Sequence, residues 1–154
     1  SDVENDVLKM VVYNRYAPSK PAVGFIHGIG LKKGAMASTV AHDSHNIVAV
    51  GTSDAEICSA INKIIETEGG ILATSNGDAK ALELPVGGLL SDQPGSEIAQ
   101  LYEEVDAYAK ELGTTLRAPF MTIAFMSLLV IPEIKLGDKG LFDGRSFQFI
   151  SLQD

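Results

Sequence analysis

The sequence contains a single cysteine, Cys58, and no tryptophan. One thiol excludes an internal disulfide framework and a zinc site built from several thiolates. Such sparse cysteine is compatible with a reducing compartment, so we expect a cytoplasmic protein. Because Cys58 falls on the apolar side of a predicted helix, we expect it to be a buried, unreactive thiol.

Basic clusters and long apolar runs are also missing. The chain has 12 lysines and arginines against 20 aspartates and glutamates, a net charge of −8, and its largest basic cluster is Lys32-Lys33. Proteins that bind nucleic acids or anionic membranes normally show a basic patch, so we expect neither partner. The longest apolar run, residues 120–132, falls short of the roughly 20 residues that span a bilayer. The acidic residues 1–6 do not resemble a signal peptide.

The remaining composition is that of one soluble domain. Hydrophobic residues make up 45% of the 154 residues, and the mean hydropathy is +0.15. A chain of this length can bury a packed core without covalent cross-links. We expect residues 1–6 to be a disordered or frayed end and residues 7–154 to form a single layered domain.

Hydrophobic periodicity predicts several strands and two main amphipathic helices. The predicted strands are residues 7–13, 22–30, 36–41, 47–50, 71–75, 80–84 and 147–150. The first helix follows Ser53, whose capping box Glu56 would complete, and the second runs from Pro94 to a stop at Gly113. Since the elements lack strict βαβ order, they predict an α/β or α+β fold with a mixed sheet.

Two segments give more local predictions. Asn76-Gly77 tolerates the positive φ values of a type I′ turn, so it predicts a hairpin between the fifth and sixth strands. Residues 119–132 fit either a buried strand or a buried short helix, and periodicity does not choose between them.

The densest cluster of functional side chains lies at residues 41–46, which we call the hexad. After Ala41 it contains His42, Asp43, Ser44, His45 and Asn46. Polar loops at a sheet edge often hold functional sites. The two imidazoles, with Asp43, can ligate a metal, or a His–Asp pair can move protons or orient a substrate. Alternatively, the Asp, Ser and Asn side chains close a turn through their own backbone, and spacing alone leaves all three interpretations open.

The glycine-rich residues 24–34 do not predict a nucleotide site. Gly28, Gly30 and Gly34 miss the dinucleotide spacing by one residue, no helix signature follows them, and the phosphate-loop lysine motif is missing. Bulges and tight turns explain these glycines.

The hexad lies within a longer stretch that resembles a known family. Residues 24–46, which end in Ala41-His42-Asp43-Ser44-His45-Asn46, are similar to the C-terminal domain of bacterial adenine deaminase, a member of the amidohydrolase superfamily. The similarity continues at residues 47–52, 69–70, 84–85, 87–92, 119–122 and 130–136. It covers residues 11–152, nearly the whole chain.

The resemblance implies a part of a hydrolase that converts adenine to hypoxanthine and ammonia in purine salvage and adenine catabolism. In such an enzyme a barrel domain holds divalent Mn or Fe, and the metal activates water. A barrel needs about 250 residues, so this chain lacks it and we expect the fragment alone to be inactive. The implied partners are the barrel domain of the same polypeptide, adenine and further copies in a homo-oligomer.

The resemblance also implies that the hexad faces the barrel mouth or the junction with the barrel. His42, Asp43, Ser44, His45 and Asn46 are then candidates for substrate contact, with His42 and His45 as secondary candidates for a metal. Two alternatives remain open. One is a free-standing regulatory module that binds a small ligand or a metal, and the other is a self-sufficient hydrolase that uses His42, Asp43 and His45. An exposed apolar patch would favour the domain that packs on a barrel.

Overall fold

The computed structural model describes residues 1–152 of the chain. These residues contain three helices and nine strands, and the strands form two sheets. In chain order the elements are β1 Val7–Tyr13, β2 Ala22–His27, β3 Ala35–Ser38, β4 Ile47–Gly51, α1 Asp54–Glu66, β5 Gly70–Ser75, β6 Asp78–Glu83, α2 Gly95–Glu111, α3 Pro119–Met126, β7 Ile134–Gly137, β8 Gly140–Asp143 and β9 Gln148–Ile150.

The larger sheet has six strands in the order β2-β1-β4-β3-β5-β6, and the smaller has the order β7-β8-β9. The predicted α+β class is confirmed. The strand pairs in residues 1–152 are all antiparallel, whereas the sequence predicted a mixed sheet. Two parallel strands that are neighbours in a sheet must be joined by a long crossover connection. The connection through α1 joins β4 to β5 in this way, but β3 lies between these two strands, so they do not pair with each other.

Both faces of the larger sheet are covered. Side chains alternate along β1, so Val11 packs with α1 while Leu8, Met10 and Val12 pack on the opposite face. That opposite face is covered by α2, α3 and the smaller sheet. The smaller sheet approaches closely at Gly24, where a β-carbon would lie 3.4 Å from a methyl group of Leu141.

Helix α1 begins as predicted, but its capping box is only half formed. The Ser53 hydroxyl accepts a hydrogen bond from the backbone N–H of Glu56 at 3.3 Å. The Glu56 carboxylate accepts instead from the backbone N–H of Asn76 at 2.9 Å. The β5–β6 turn lies beside the first turn of α1 and supplies this donor, so Glu56 bridges two elements.

The prediction for Cys58 was wrong, because this thiol is exposed. The buried side chains of α1 are Ile57, Ala60 and Ile64. The sheet covers a narrower strip of the helix than the apolar pattern suggested, and Ile65 at its margin is 50% exposed.

The local prediction for Asn76-Gly77 is confirmed. These residues have φ values of 53° and 91°, as a type I′ turn requires, and they join β5 to β6. In residues 119–132 the structure contains the short helix α3, with Pro119 in its first turn. Strands β7 and β8 were not among the predicted strands.

Residues 1–6, which we expected to be a frayed end, make specific contacts. The Ser1 hydroxyl donates to the carbonyl of Gly51 at 2.9 Å, and the Asp6 carboxylate accepts from the N–H groups of Gly28 and Gly30. A domain boundary at residue 7 stays a prediction. Among the described residues, no helix is both long and apolar enough to cross a membrane.

Candidate functional site

The hexad lies in the connection between β3 and β4, at the end of the larger sheet where β1 also ends. Tyr13, the last residue of β1, pairs with Ile47, the first residue of β4. The loop after β1 therefore lies beside the hexad. Other segments that reach the same end of the sheet include Gly87-Gly88, Ser127 and the β7–β8 turn at Asp138.

The structure brings the two histidines of the hexad together. The ring centroids of His42 and His45 are 5.9 Å apart, with the planes at 73° in an edge-to-face arrangement. Both residues are half-buried, Asp43 and Ser44 are exposed, and Asn46 is buried with 5% exposure. The hexad thus presents two polar side chains to solvent beside a pair of partly accessible imidazoles.

His42 also contacts an exposed apolar surface. Its ring centroid is 5.8 Å from that of Phe125 on α3. Phe125 is 38% exposed, and Met121, one helical turn earlier, is 47% exposed. The segment after α3 exposes Val130 and Ile131 as well. We call Met121 and Phe125, which lie one turn apart on α3, the α3 surface. Apolar side chains exposed beside polar ones are typical of an interaction site.

The hexad backbone is held by a loop that the sequence analysis did not single out. Arg15 donates from Nε to the carbonyl of His45 at 2.7 Å, and the Tyr16 hydroxyl donates to the carbonyl of Ser44 at 2.9 Å. These contacts join residues about 30 positions apart in sequence. No spacing rule would find them, because they follow from the non-local pairing of β1 with β4.

Two polar atoms of the hexad are buried without a hydrogen-bond partner among the described residues: His45 Nδ1 and Asn46 Oδ1. Asn46 lines a cavity of about 20 Å³ together with His42, Ser44, Ser127 and Asp138. A buried polar atom without a partner costs roughly 1–3 kcal/mol. Native proteins have few such atoms, and here two lie on adjacent residues of one loop.

Comparison with known proteins identifies the family. Residues 1–148 match the family described as the adenine deaminase C-terminal domain. This chain belongs to that family. It is 60% identical over 146 residues to an adenine deaminase of Sulfurovum sp. (strain NBC37-1), an alignment that covers 94% of this chain and 27% of the relative. It is 54% identical over 152 residues to an adenine deaminase of Methanosarcina barkeri, covering 99% of this chain and 28% of the relative.

This match confirms the resemblance of the sequence to the C-terminal domain of adenine deaminase. An adenine deaminase of Salinibacter ruber is 51% identical over 152 residues, covering 97% of this chain and 28% of its own length. The chain spans about a quarter of the length of these curated relatives. The matched family region includes the whole hexad and all of α3.

The metal centre implied by adenine deaminases does not fit the residues of this domain. A catalytic metal is normally held by three protein ligands. Within residues 1–152 no group of three or more His, Cys, Asp or Glu side chains is placed to hold a metal ion. Among these described residues the His42 and His45 imidazoles have no third ligand of this kind beside them, so this pair does not fit a catalytic metal centre.

Proposed function

We propose that this chain is the C-terminal domain of an enzyme that hydrolyses adenine, and that its hexad completes the substrate site at the mouth of a barrel domain. The observation that supports the proposal best is the position of His42. Its ring contacts both His45 of the polar hexad and Phe125 of the exposed α3 surface, with centroids 5.9 Å and 5.8 Å away. A partner that covers the α3 surface would be brought directly against the hexad.

The chemistry divides between the two parts of the polypeptide. Hydrolysis of adenine forms a C–O bond at the ring carbon that bears the amino group and breaks the C–N bond. One proton of the water leaves with the amino group as ammonia, and the other stays on a ring nitrogen of the hypoxanthine product. When bound in the barrel, a divalent metal supplies the activated water. The residues of this chain orient the purine, because imidazole, carboxylate and hydroxyl groups can bond to ring nitrogens and to the exocyclic amine.

We also propose, from membership of the family, which metal the complete polypeptide binds, where it acts and how it assembles. The metal is manganese or iron and is held by the barrel, the enzyme acts in purine salvage in the cytoplasm, and the polypeptide assembles as a homo-oligomer. Exposed Asp43 and Ser44 are the hexad side chains best placed to reach a substrate. His45 and Asn46 are more enclosed and shape the loop from within.

The test is His42→Ala in the complete polypeptide. We expect kcat/KM for adenine to fall about tenfold or more, the effect of losing one well-placed hydrogen bond in the transition state. His27→Ala is the matched control, because His27 is exposed and pairs with Val7 at the start of β1, away from the hexad.

Wild-type kinetics in both variants, with the fold intact, would contradict the proposal. Two other outcomes would favour the alternatives. Hydrolysis of adenine by the 154-residue chain alone would indicate a self-sufficient hydrolase. Stoichiometric binding of a metal or small ligand by a chain that has no barrel in its native polypeptide would indicate a regulatory module.

A further inference from the structure

Through its guanidinium group, Arg15 connects its own loop to the hexad and to the segment at Gly87. It donates from Nε to the carbonyl of His45 at 2.7 Å, and its Nη2 donates to the carbonyl of Gly87. The guanidinium also lies over the ring of Tyr16, 4.9 Å from the centroid. Both hydrogen-bond acceptors are backbone carbonyls, so the positive charge of Arg15 serves to fix chain geometry.

The hexad needs such fixing at His45. This residue has a φ of 50°, in the left-handed region that non-glycine residues rarely adopt. Its N–H donates to the carbonyl of Ala41 at 2.6 Å, which closes the turn from inside. Arg15 holds the carbonyl of the same residue from outside. A strained residue persists when its surroundings over-determine it, and such residues cluster at functional sites.

Gly88 lies close to the guanidinium group of Arg15. A β-carbon at this position would lie 2.6 Å from Nη1 of Arg15, and the backbone there has a φ of 74°. The chain at Gly87-Gly88 therefore lies close to Arg15, and the positive φ of Gly88 favours glycine at this position. Thr39 fixes this segment in turn, because its hydroxyl donates to the carbonyl of Gly88 at 2.6 Å.

Tyr16 adds a second, independent contact from the same loop. Its hydroxyl donates to the carbonyl of Ser44 at 2.9 Å, immediately before the residue that Arg15 holds. Asn14 fixes the loop itself, because its carboxamide oxygen accepts from the N–H groups of Tyr16 and Ala17. The Asn14 amide also donates to Asp138 at 2.8 Å.

We propose that Arg15 is the positioning residue of the hexad: it holds the His45 backbone and thereby sets the orientation of the neighbouring His42 ring toward substrate. The inference rests on the proposed function for its catalytic consequence. Its structural part, that Arg15 fixes residues 41–46, stands on the contacts alone. A lysine would keep the charge but would lack the planar fork that reaches two carbonyls at once.

The experiment compares Arg15→Ala and Arg15→Lys in the complete polypeptide, with Lys20→Ala as the control. Lys20 lies in the same loop between β1 and β2 and is exposed. The first readout is hydrogen exchange of the amides of residues 41–46. We expect both Arg15 variants to raise this exchange about tenfold or more while β1 and the Lys20→Ala protein stay as in the wild type.

The second readout is kinetic. We expect kcat/KM for adenine to fall about tenfold in both variants, and guanidinium ion added to Arg15→Ala to restore part of it, which general destabilisation would not allow. Unchanged exchange in residues 41–46 would overturn the inference even where His42→Ala is impaired. Faster exchange with wild-type kinetics, or a fully active Arg15→Lys protein, would overturn it as well. Wild-type kinetics in His42→Ala would instead refute the proposed function.

Discussion

The ring of His42 packs against the ring of Phe125, with the centroids 5.8 Å apart and the planes tilted by 41°. This contact joins the loop between β3 and β4 to α3, although the two segments are far apart in sequence. It places a titratable side chain at the border of the exposed α3 surface. Docking of another domain on that surface would therefore act directly on the hexad.

Phe125→Gln should show whether the α3 surface is covered in the complete polypeptide. Buried aromatic anchors at interfaces typically contribute more than 1 kcal/mol, so we expect a Tm lower by several degrees. Ile65→Gln is the control, because Ile65 is similarly exposed but lies on α1, on the opposite face of the sheet. It should change the Tm by about 1 °C or less. Equal effects of the two substitutions would mean that the α3 surface is free.

Asn46→Leu separates stability from function at the hexad. Because Asn46 Oδ1 is buried without a hydrogen-bond partner in the part of the chain that the structure describes, the substitution should leave the free energy of unfolding within about 1 kcal/mol of the wild type. Thr39→Val is the control, since the Thr39 hydroxyl is buried and bonded to Gly88; its loss should cost about 1–3 kcal/mol. Urea denaturation measures both. A large loss in Asn46→Leu would show that the amide has a structural partner.

Ser53→Ala tests the local origin of α1. The hydroxyl satisfies the N–H of Glu56, and losing an N-cap of this kind should cost about 1 kcal/mol in the free energy of unfolding. Ser53→Asp preserves an acceptor at the cap and should restore most of that loss. If both variants unfold at the wild-type denaturant concentration, the cap contributes nothing.

The exposure of Cys58 predicts rapid chemical labelling. Because it is the only cysteine of the chain, a thiol reagent gives an unambiguous signal. We expect labelling of the native chain within about tenfold of the rate of the denatured chain, because an exposed thiol needs no unfolding to react. A native rate lower by several orders of magnitude would return Cys58 to the buried class.

The parts of the fold that were predicted correctly are those with local causes. The Ser53 cap and the Asn76-Gly77 turn depend on residues within a few positions of each other, and both are present. The prediction for Cys58 failed because the width of an apolar stripe does not reveal how much of it the sheet covers. Glu56 bonds to Asn76 because a distant hairpin folds back beside α1, which no capping rule contains.

In the candidate site, too, local sequence predicted some features, while others depend on contacts between distant residues. Composition drew attention to the hexad, because polar side chains are concentrated there between two apolar strands. Its environment was not predictable, since the contacts to Arg15 and Phe125 come from strand order and from helix packing. The roles of the hexad side chains remain predictions to be tested by the variants above.

The most direct test of the central claim is a crystal structure of the complete polypeptide with a purine bound. We expect a side chain of the hexad, His42, Asp43 or Ser44, to lie within about 3.2 Å of the purine or of a barrel residue that contacts it. We also expect barrel residues to cover Met121 and Phe125. A hexad facing solvent, with the α3 surface uncovered and the purine held by the barrel alone, would contradict the account.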